Sequence, residues 1–126
     1  MKLVEANEDS TYFTELRALL LKATGPAILL GDRLRRVHGI DEAYVFGSWA
    51  RRYAGEIGPT PADIDVMVVG DADPDAVEAA CLHAGRRLGL EVNPVVLSGA
   101  EWRRSRSGFV RQVRKGPLVR VLPDES

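Results

Sequence analysis

The sequence has one cysteine, two histidines and no long apolar run, and each shortage argues against a class of protein. His38 and His83 are isolated, without the spacing of metal ligands. Because Cys81 has no second cysteine to pair with, an intrachain disulfide is impossible, and we expect a reducing compartment. The longest apolar runs are a few residues, far short of the roughly 20 that a membrane-spanning helix needs. The opening MKLVEANEDS has no apolar run behind its lysine, which argues against a conventional signal peptide. We therefore expect a soluble, cytoplasmic protein without membrane contact.

The charge is nearly balanced overall but unevenly distributed. The formal net charge of the 126 residues is −1, yet carboxylates crowd residues 56–78, whereas residues 101–120 hold seven basic side chains against the single acid Glu101. This asymmetry predicts a cation-binding half and an anion-binding half. The basic segment could bind a polyphosphate tail, a protein or nucleic acid, and it favours a nucleic-acid-binding accessory domain as a third candidate function. Since a basic helix is more often a solvated face, we do not expect this domain alone to bind nucleic acid.

The hydrophobic pattern predicts one α/β (α+β) domain over residues 1–126, with a two-helix segment (1–40) ahead of a core (41–126). The segment would hold a helix around Tyr12–Leu20 that stops at Gly25, and a second helix from Pro26 to about His38. In the core, short apolar strands alternate with helices, which indicates a small mixed sheet packed with helices. The clearest helix has Asp73 as its cap, Pro74 at its first position and Gly89 as its stop. Residues 99–116 read as one helix or two.

Asp63 and Asp65 are the first candidate site residues. They lie two apart on the predicted strand DIDVMVV, so both carboxylates project from the same face and address one site. Two carboxylates that close repel each other unless a cation neutralises them, and Mg²⁺ prefers such hard oxygen ligands. The alternative is a solvated strand end whose acids simply face water.

Gly47 and Ser48 are the second candidates, at the end of the preceding apolar strand YVF. A glycine at this turn lets backbone N–H groups approach a phosphate closely, and the Ser48 hydroxyl adds a donor. Taken alone, the pair reads more simply as an ordinary strand-to-helix turn with a serine cap. Together with Asp63 and Asp65, however, it places a phosphate cradle beside a metal pair, as a nucleoside triphosphate and its metal would require.

The two motifs, VFGSWARR and ADIDVMVVG, resemble those of the nucleotidyltransferase superfamily that includes DNA polymerase beta. Within it, the chain is most similar to the minimal nucleotidyltransferases, in the version often joined to winged-helix DNA-binding domains. The resemblance implies the nucleotidyltransferase fold, with Asp63 and Asp65 as catalytic ligands of Mg²⁺ or Mn²⁺. It also implies that Gly47, Ser48 and Arg51 bind the phosphates of ATP or another nucleoside triphosphate. The reaction implied is transfer of a nucleoside monophosphate to an acceptor hydroxyl.

The chain departs from the family pattern at three places. Arg52 stands where the family has glycine, and the segment 49–62 between the two motifs is longer than usual. Active members supply a third carboxylate from the next strand, where EVNPVV offers Asn93, with Glu91 two residues earlier on the same face. Asn93 and Glu91 are thus further candidate metal ligands. Asn93 also favours an alternative function, a weakened nucleotide-binding or regulatory module of the same fold.

The resemblance leaves the acceptor open. In similar small proteins it can be the hydroxyl of a partner protein, as in antitoxins that modify a toxin encoded alongside, or a small molecule. A chain of this size has little room for its own acceptor-binding domain, so we expect a homodimer or a partner protein to complete the site.

Overall fold

The structure is a computed structural model and describes residues 25–123. The helix expected around Tyr12–Leu20 lies outside these residues. The described elements follow one another along the chain as α1 (Gly25–Leu34), β1 (Ile40–Phe46), α2 (Gly47–Tyr53), β2 (Asp63–Gly70), α3 (Pro74–Leu88), β3 (Glu91–Leu97), α4 (Gly99–Arg104), α5 (Gly108–Lys115) and β4 (Val119–Leu122). Within residues 25–123, no helix combines the length and apolarity that a membrane crossing requires.

The strands form one four-stranded mixed sheet in the order β3-β2-β1-β4. Strand β1 is antiparallel to both β2 and β4, whereas β2 and β3 run parallel. The parallel pair is joined through α3, because a parallel connection needs a crossover that returns the chain to the same end of the sheet. A mixed sheet packed with helices confirms the predicted fold class and is consistent with an α+β nucleotidyltransferase-like fold.

Each face of the sheet carries its own apolar cluster. On β2, Ile64, Val66 and Val68 are fully buried in the cluster that α1 and α3 cover. Met67 and Val69 point the other way, into the cluster that α4 and α5 cover. Burying each such side chain contributes about 1.5–3 kcal/mol. Since side chains alternate along a strand, Asp63 and Asp65 share the face of Met67 and Val69, at the end of β2 that α4 and α5 leave open.

Helix α3 begins and ends as the sequence predicts. The Asp73 side chain accepts a hydrogen bond from the Asp75 backbone N–H, and Pro74 occupies the first position. Gly89 ends the helix with φ of +70°, in the left-handed conformation that glycine adopts without strain.

Helix α1 is shorter than predicted, ending at Leu34 rather than near His38. Beyond Leu34 the backbone tightens, because the Val37 N–H bonds to the carbonyl of Leu34, three residues back. Gly39 then turns the chain with φ of +94°, so close to Asp71 that a Cβ would lie 2.1 Å from its carbonyl oxygen. This close approach directs the chain into β1 and is set by a contact distant in sequence.

Residues 99–116 form two helices, which settles the alternative that the sequence left open. Ser98 and Glu101 make a capping box at the start of α4, and the Ser107 hydroxyl accepts from the Val110 N–H to start α5. The Arg114 guanidinium bonds to the carbonyl oxygens of Arg103 and Ser105 at 3.0 and 3.1 Å, which ties the two helices together.

Candidate active site

The candidate residues meet where the end of β1 lies beside the beginnings of β2 and β3. Phe46, the last residue of β1, pairs with Asp65, and Asp65 pairs with Asn93 on its other side. Asp63 pairs with Glu91 one step further out. The register therefore brings the Gly-Ser turn, the Asp-x-Asp pair and Asn93 to one end of the sheet, as the sequence predicted.

The two carboxylates interact with each other and with Asn93. The Asn93 side-chain amide donates a hydrogen bond to Oδ2 of Asp63 at 3.0 Å. Burial raises the pKa of Asp65, and the negative charge of Asp63 raises it further, whereas a hydrogen bond from Asn93 acts in the opposite direction. The ionised pair is thus unfavourable without a neutralising group.

Gly47 lies directly against Asp65. Its φ is +72°, and a Cβ at this position would be 2.8 Å from Oδ2 of Asp65. A glycine is required here for two reasons, because a side chain would strain the backbone and would also displace the carboxylate. The turn that could cradle a phosphate is therefore in contact with the pair that could hold a cation.

Ser48 and Arg51 follow on α2, a helix held in place by the buried side chains of Trp49 and Ala50. The Ser48 side chain is exposed at the start of the helix, and Arg51 is partly buried one turn later. Arg51 lines a pocket together with Phe46 and Gly47, so its side chain lies close to the Gly-Ser turn.

Arg52 organises the loop that leads from α2 to Asp63. Its Nε donates to the carbonyl oxygen of Pro59 at 3.0 Å, and its Nη1 donates to that of Glu56 at 3.4 Å. The guanidinium also covers Gly58, where a Cβ would lie 2.2 Å from Nη2. Arg52, a departure from the motif that the sequence resembles, thus holds this loop, a role that the sequence alone did not reveal.

The donor set suits a hard divalent cation. The two neighbouring carboxylates are oxygen donors of the kind that Mg²⁺ prefers, whereas the Asn93 amide presents its nitrogen to them. Along residues 25–123, no group of three or more His, Cys, Asp or Glu side chains is arranged to hold a metal ion. Glu91, an exposed side chain beside Asp63 in the register, therefore does not complete a carboxylate triad.

The remaining residues singled out in the sequence lie outside the site. Cys81 is fully buried on α3, and burial together with the charge of Glu78 raises the pKa of its thiol to about 12. His38 and His83 are exposed. Arg114 lies over the Trp102 ring, 5.9 Å from its centroid, so part of the basic segment serves to pack α5 against α4.

Comparison of the chain with protein-family models, with curated proteins and with solved structures gives no match. The assignment of a function accordingly depends on the geometry described above and on the motif resemblance.

Proposed function

We propose that the chain is a minimal nucleotidyltransferase that moves a nucleoside monophosphate from a nucleoside triphosphate, ATP in the first instance, to an acceptor hydroxyl. The observation that carries the proposal is the contact between Gly47 and Asp65. A phosphate at the Gly-Ser turn would lie beside a carboxylate, and two anions so close repel strongly. A divalent cation between them removes that conflict.

In this proposal, Gly47, Ser48 and Arg51 bind the β- and γ-phosphates and fix the position of the α-phosphorus. Asp63 and Asp65 would hold Mg²⁺ or Mn²⁺, and Asn93 would offer its amide oxygen after the amide turns from its hydrogen bond to Asp63. The bound cation would supply charge neutralisation and orientation. The acceptor oxygen forms a bond to the α-phosphorus, the bond to the bridging oxygen breaks, pyrophosphate leaves, and the acceptor proton passes to water. A second subunit or a partner protein would bring the acceptor.

A second function is favoured by one contact. Asn93 is neutral, and its amide already donates to Asp63 at 3.0 Å. The position where active members carry a third carboxylate thus stabilises the pair without adding charge. In this alternative, the chain binds the nucleotide and its metal, and acts as a regulatory module without turnover.

Two measurements test the proposal. Calorimetric titration with ATP should show binding in Mg²⁺ and none with a chelator, because the carboxylate pair repels the polyanion until a cation is present. Equal binding under both conditions would refute the metal-bridged site.

Transfer of label from ATP to candidate acceptors distinguishes the enzyme from the module. Asp63→Asn and Asp65→Asn should each reduce transfer by roughly three orders of magnitude, whereas Asn93→Asp should maintain or raise it. An inert parent with an active Asn93→Asp variant would identify the regulatory module. Transfer by Asp63→Asn at the parent's rate would show that the pair is not catalytic.

A further inference from the structure

A small pocket opens beside the candidate active site, between α2 and α5, and the α5 side of its lining belongs to neither sequence motif. Its volume is about 160 Å³. The residues that line it come from the β1–α2 junction and from α5: Phe46, Gly47 and Arg51, and Phe109, Gln112 and Val113. Because Gly47 belongs to the wall of this pocket and also touches Asp65, the pocket is continuous with the proposed phosphate site.

The size of the pocket limits what it holds. Pockets that enclose a whole drug-sized ligand have volumes of roughly 300–1,000 Å³. A volume of about 160 Å³ suits one planar ring system, with the rest of the ligand outside. A nucleotide whose phosphates lie at Gly47 and Ser48 has one such part, its base.

The walls suit a flat heterocycle. Phe46 and Phe109 meet edge to face, with ring centroids 6.0 Å apart and planes at 78°. Phe46 and Val113 are buried and form the apolar floor of the pocket. Phe109 remains half exposed, so part of its ring is free to contact a ligand. Base–aromatic stacking is a common way for proteins to bind nucleotides, and it works for any base because each has a π-face.

The polar rim of the pocket supplies a means of discrimination. Gln112 is exposed, and its side-chain amide both donates and accepts hydrogen bonds. This pattern matches the major-groove edge of adenine, where N7 accepts and the N6 amino group donates. Guanine presents two acceptors, N7 and O6, on the same edge. Arg51 carries only donors and, under the proposed function, binds phosphate.

From these observations we infer that the pocket binds the base of the nucleotide, with Phe109 stacking on the ring and Gln112 selecting adenine over guanine. This inference rests on the proposed function, because the phosphates at Gly47 and Ser48 bring the base to the pocket. An aromatic side chain of an acceptor protein is the competing occupant. Such a side chain has no edge of paired donor and acceptor for Gln112 to recognise.

The test compares ATP, GTP and inorganic tripolyphosphate, titrated calorimetrically in Mg²⁺ against the parent and two variants. ATP should bind the parent about 5- to 150-fold more tightly than tripolyphosphate, the range expected for stacking of one base. Phe109→Ala should remove most of that advantage and leave tripolyphosphate affinity unchanged. Gln112→Ala should reduce the preference for ATP over GTP.

Ile28→Ala is the matched control, since Ile28 is an exposed apolar side chain on α1, which packs on the opposite face of the sheet. It should bind all three ligands as the parent does. Circular dichroism verifies that each variant is folded.

The outcomes separate this inference from the proposed function. If ATP and tripolyphosphate bind the parent equally well in Mg²⁺, the base pocket is wrong while the phosphate site stands. If GTP binds more tightly than ATP, the role of Gln112 is wrong. If neither ATP nor tripolyphosphate binds, both the proposed function and the pocket assignment fall.

Discussion

Replacing Gly47 by alanine should disturb the candidate metal site far more than it disturbs the fold. The new Cβ carries two costs. At φ of +72° the backbone penalty is about 1–2 kcal/mol, as for any L-residue forced into the left-handed region. The Cβ would also lie 2.8 Å from Oδ2 of Asp65, inside van der Waals contact, so the carboxylate must rotate away.

Gly89 provides the matched control for this substitution. Its φ is +70°, close to that of Gly47, but a Cβ there would meet nothing within 4 Å. Gly89→Ala should therefore carry the same backbone cost without moving Asp65. With roughly 4 °C per kcal/mol for a domain of this size, Gly89→Ala should unfold about 4–8 °C below the parent, and Gly47→Ala should fall by at least as much.

The two variants should differ in their response to Mg²⁺. At an ion concentration about 100 times the parent's Kd, a ligand that binds only the folded state stabilises it by about 2.7 kcal/mol. The parent and Gly89→Ala should gain this increment in thermal unfolding monitored by circular dichroism, and Gly47→Ala should gain less than half of it. If Gly47→Ala gains as much as Gly89→Ala, the contact between Gly47 and Asp65 does not shape the metal site.

Two further predictions concern Arg52 and Cys81. Arg52→Ala should increase hydrogen exchange severalfold over residues 54–62, because it removes the hydrogen bonds to the carbonyl oxygens of Glu56 and Pro59. Helix α3 should exchange as in the parent. Unchanged exchange over residues 54–62 would show that Arg52 does not hold the loop. The Cys81 thiol has its pKa raised from its ordinary 9.0 to about 12, so the folded state keeps a proton that the unfolded state has lost. The free energy of unfolding should therefore fall as pH rises above about 9, and it should fall less in Cys81→Ala than in the parent. If the two proteins lose the same free energy of unfolding over this pH range, the prediction is wrong.

Much of the fold follows from local sequence rules. The alternation of side chains along β2 predicted which residues lie on each face of the sheet. Asp73, Pro74 and Gly89 predicted where α3 begins and ends. These predictions hold because caps and strand alternation depend on residues adjacent in sequence. The end of α1 was wrong by about four residues, since the approach of Gly39 to Asp71 joins positions distant in the chain.

The candidate site divides in the same way. Asp63 and Asp65 were predicted to share a face from their spacing alone, and the register then placed Asn93 beside Asp65. The lining of the pocket was missed, because nothing local connects Phe46 with Gln112, which α5 brings back across the sheet. The only local signal for Arg52 was that the resembled motif has glycine at this position. That difference indicated an altered loop but not which carbonyl oxygens the guanidinium would bind.

Strand β3 forms an edge of the sheet, and its sequence affects how a second protein could associate there. Among the described residues, β3 pairs only with β2, and it contains Pro94 at its centre. Proline has no N–H to donate and is tolerated in sheets mainly where that donor would face solvent. The ladder that an added strand would need is thereby interrupted one residue after Asn93. Growth of the sheet by strand addition is disfavoured here, which protects the edge from aggregation and leaves side-chain contacts as the route of association.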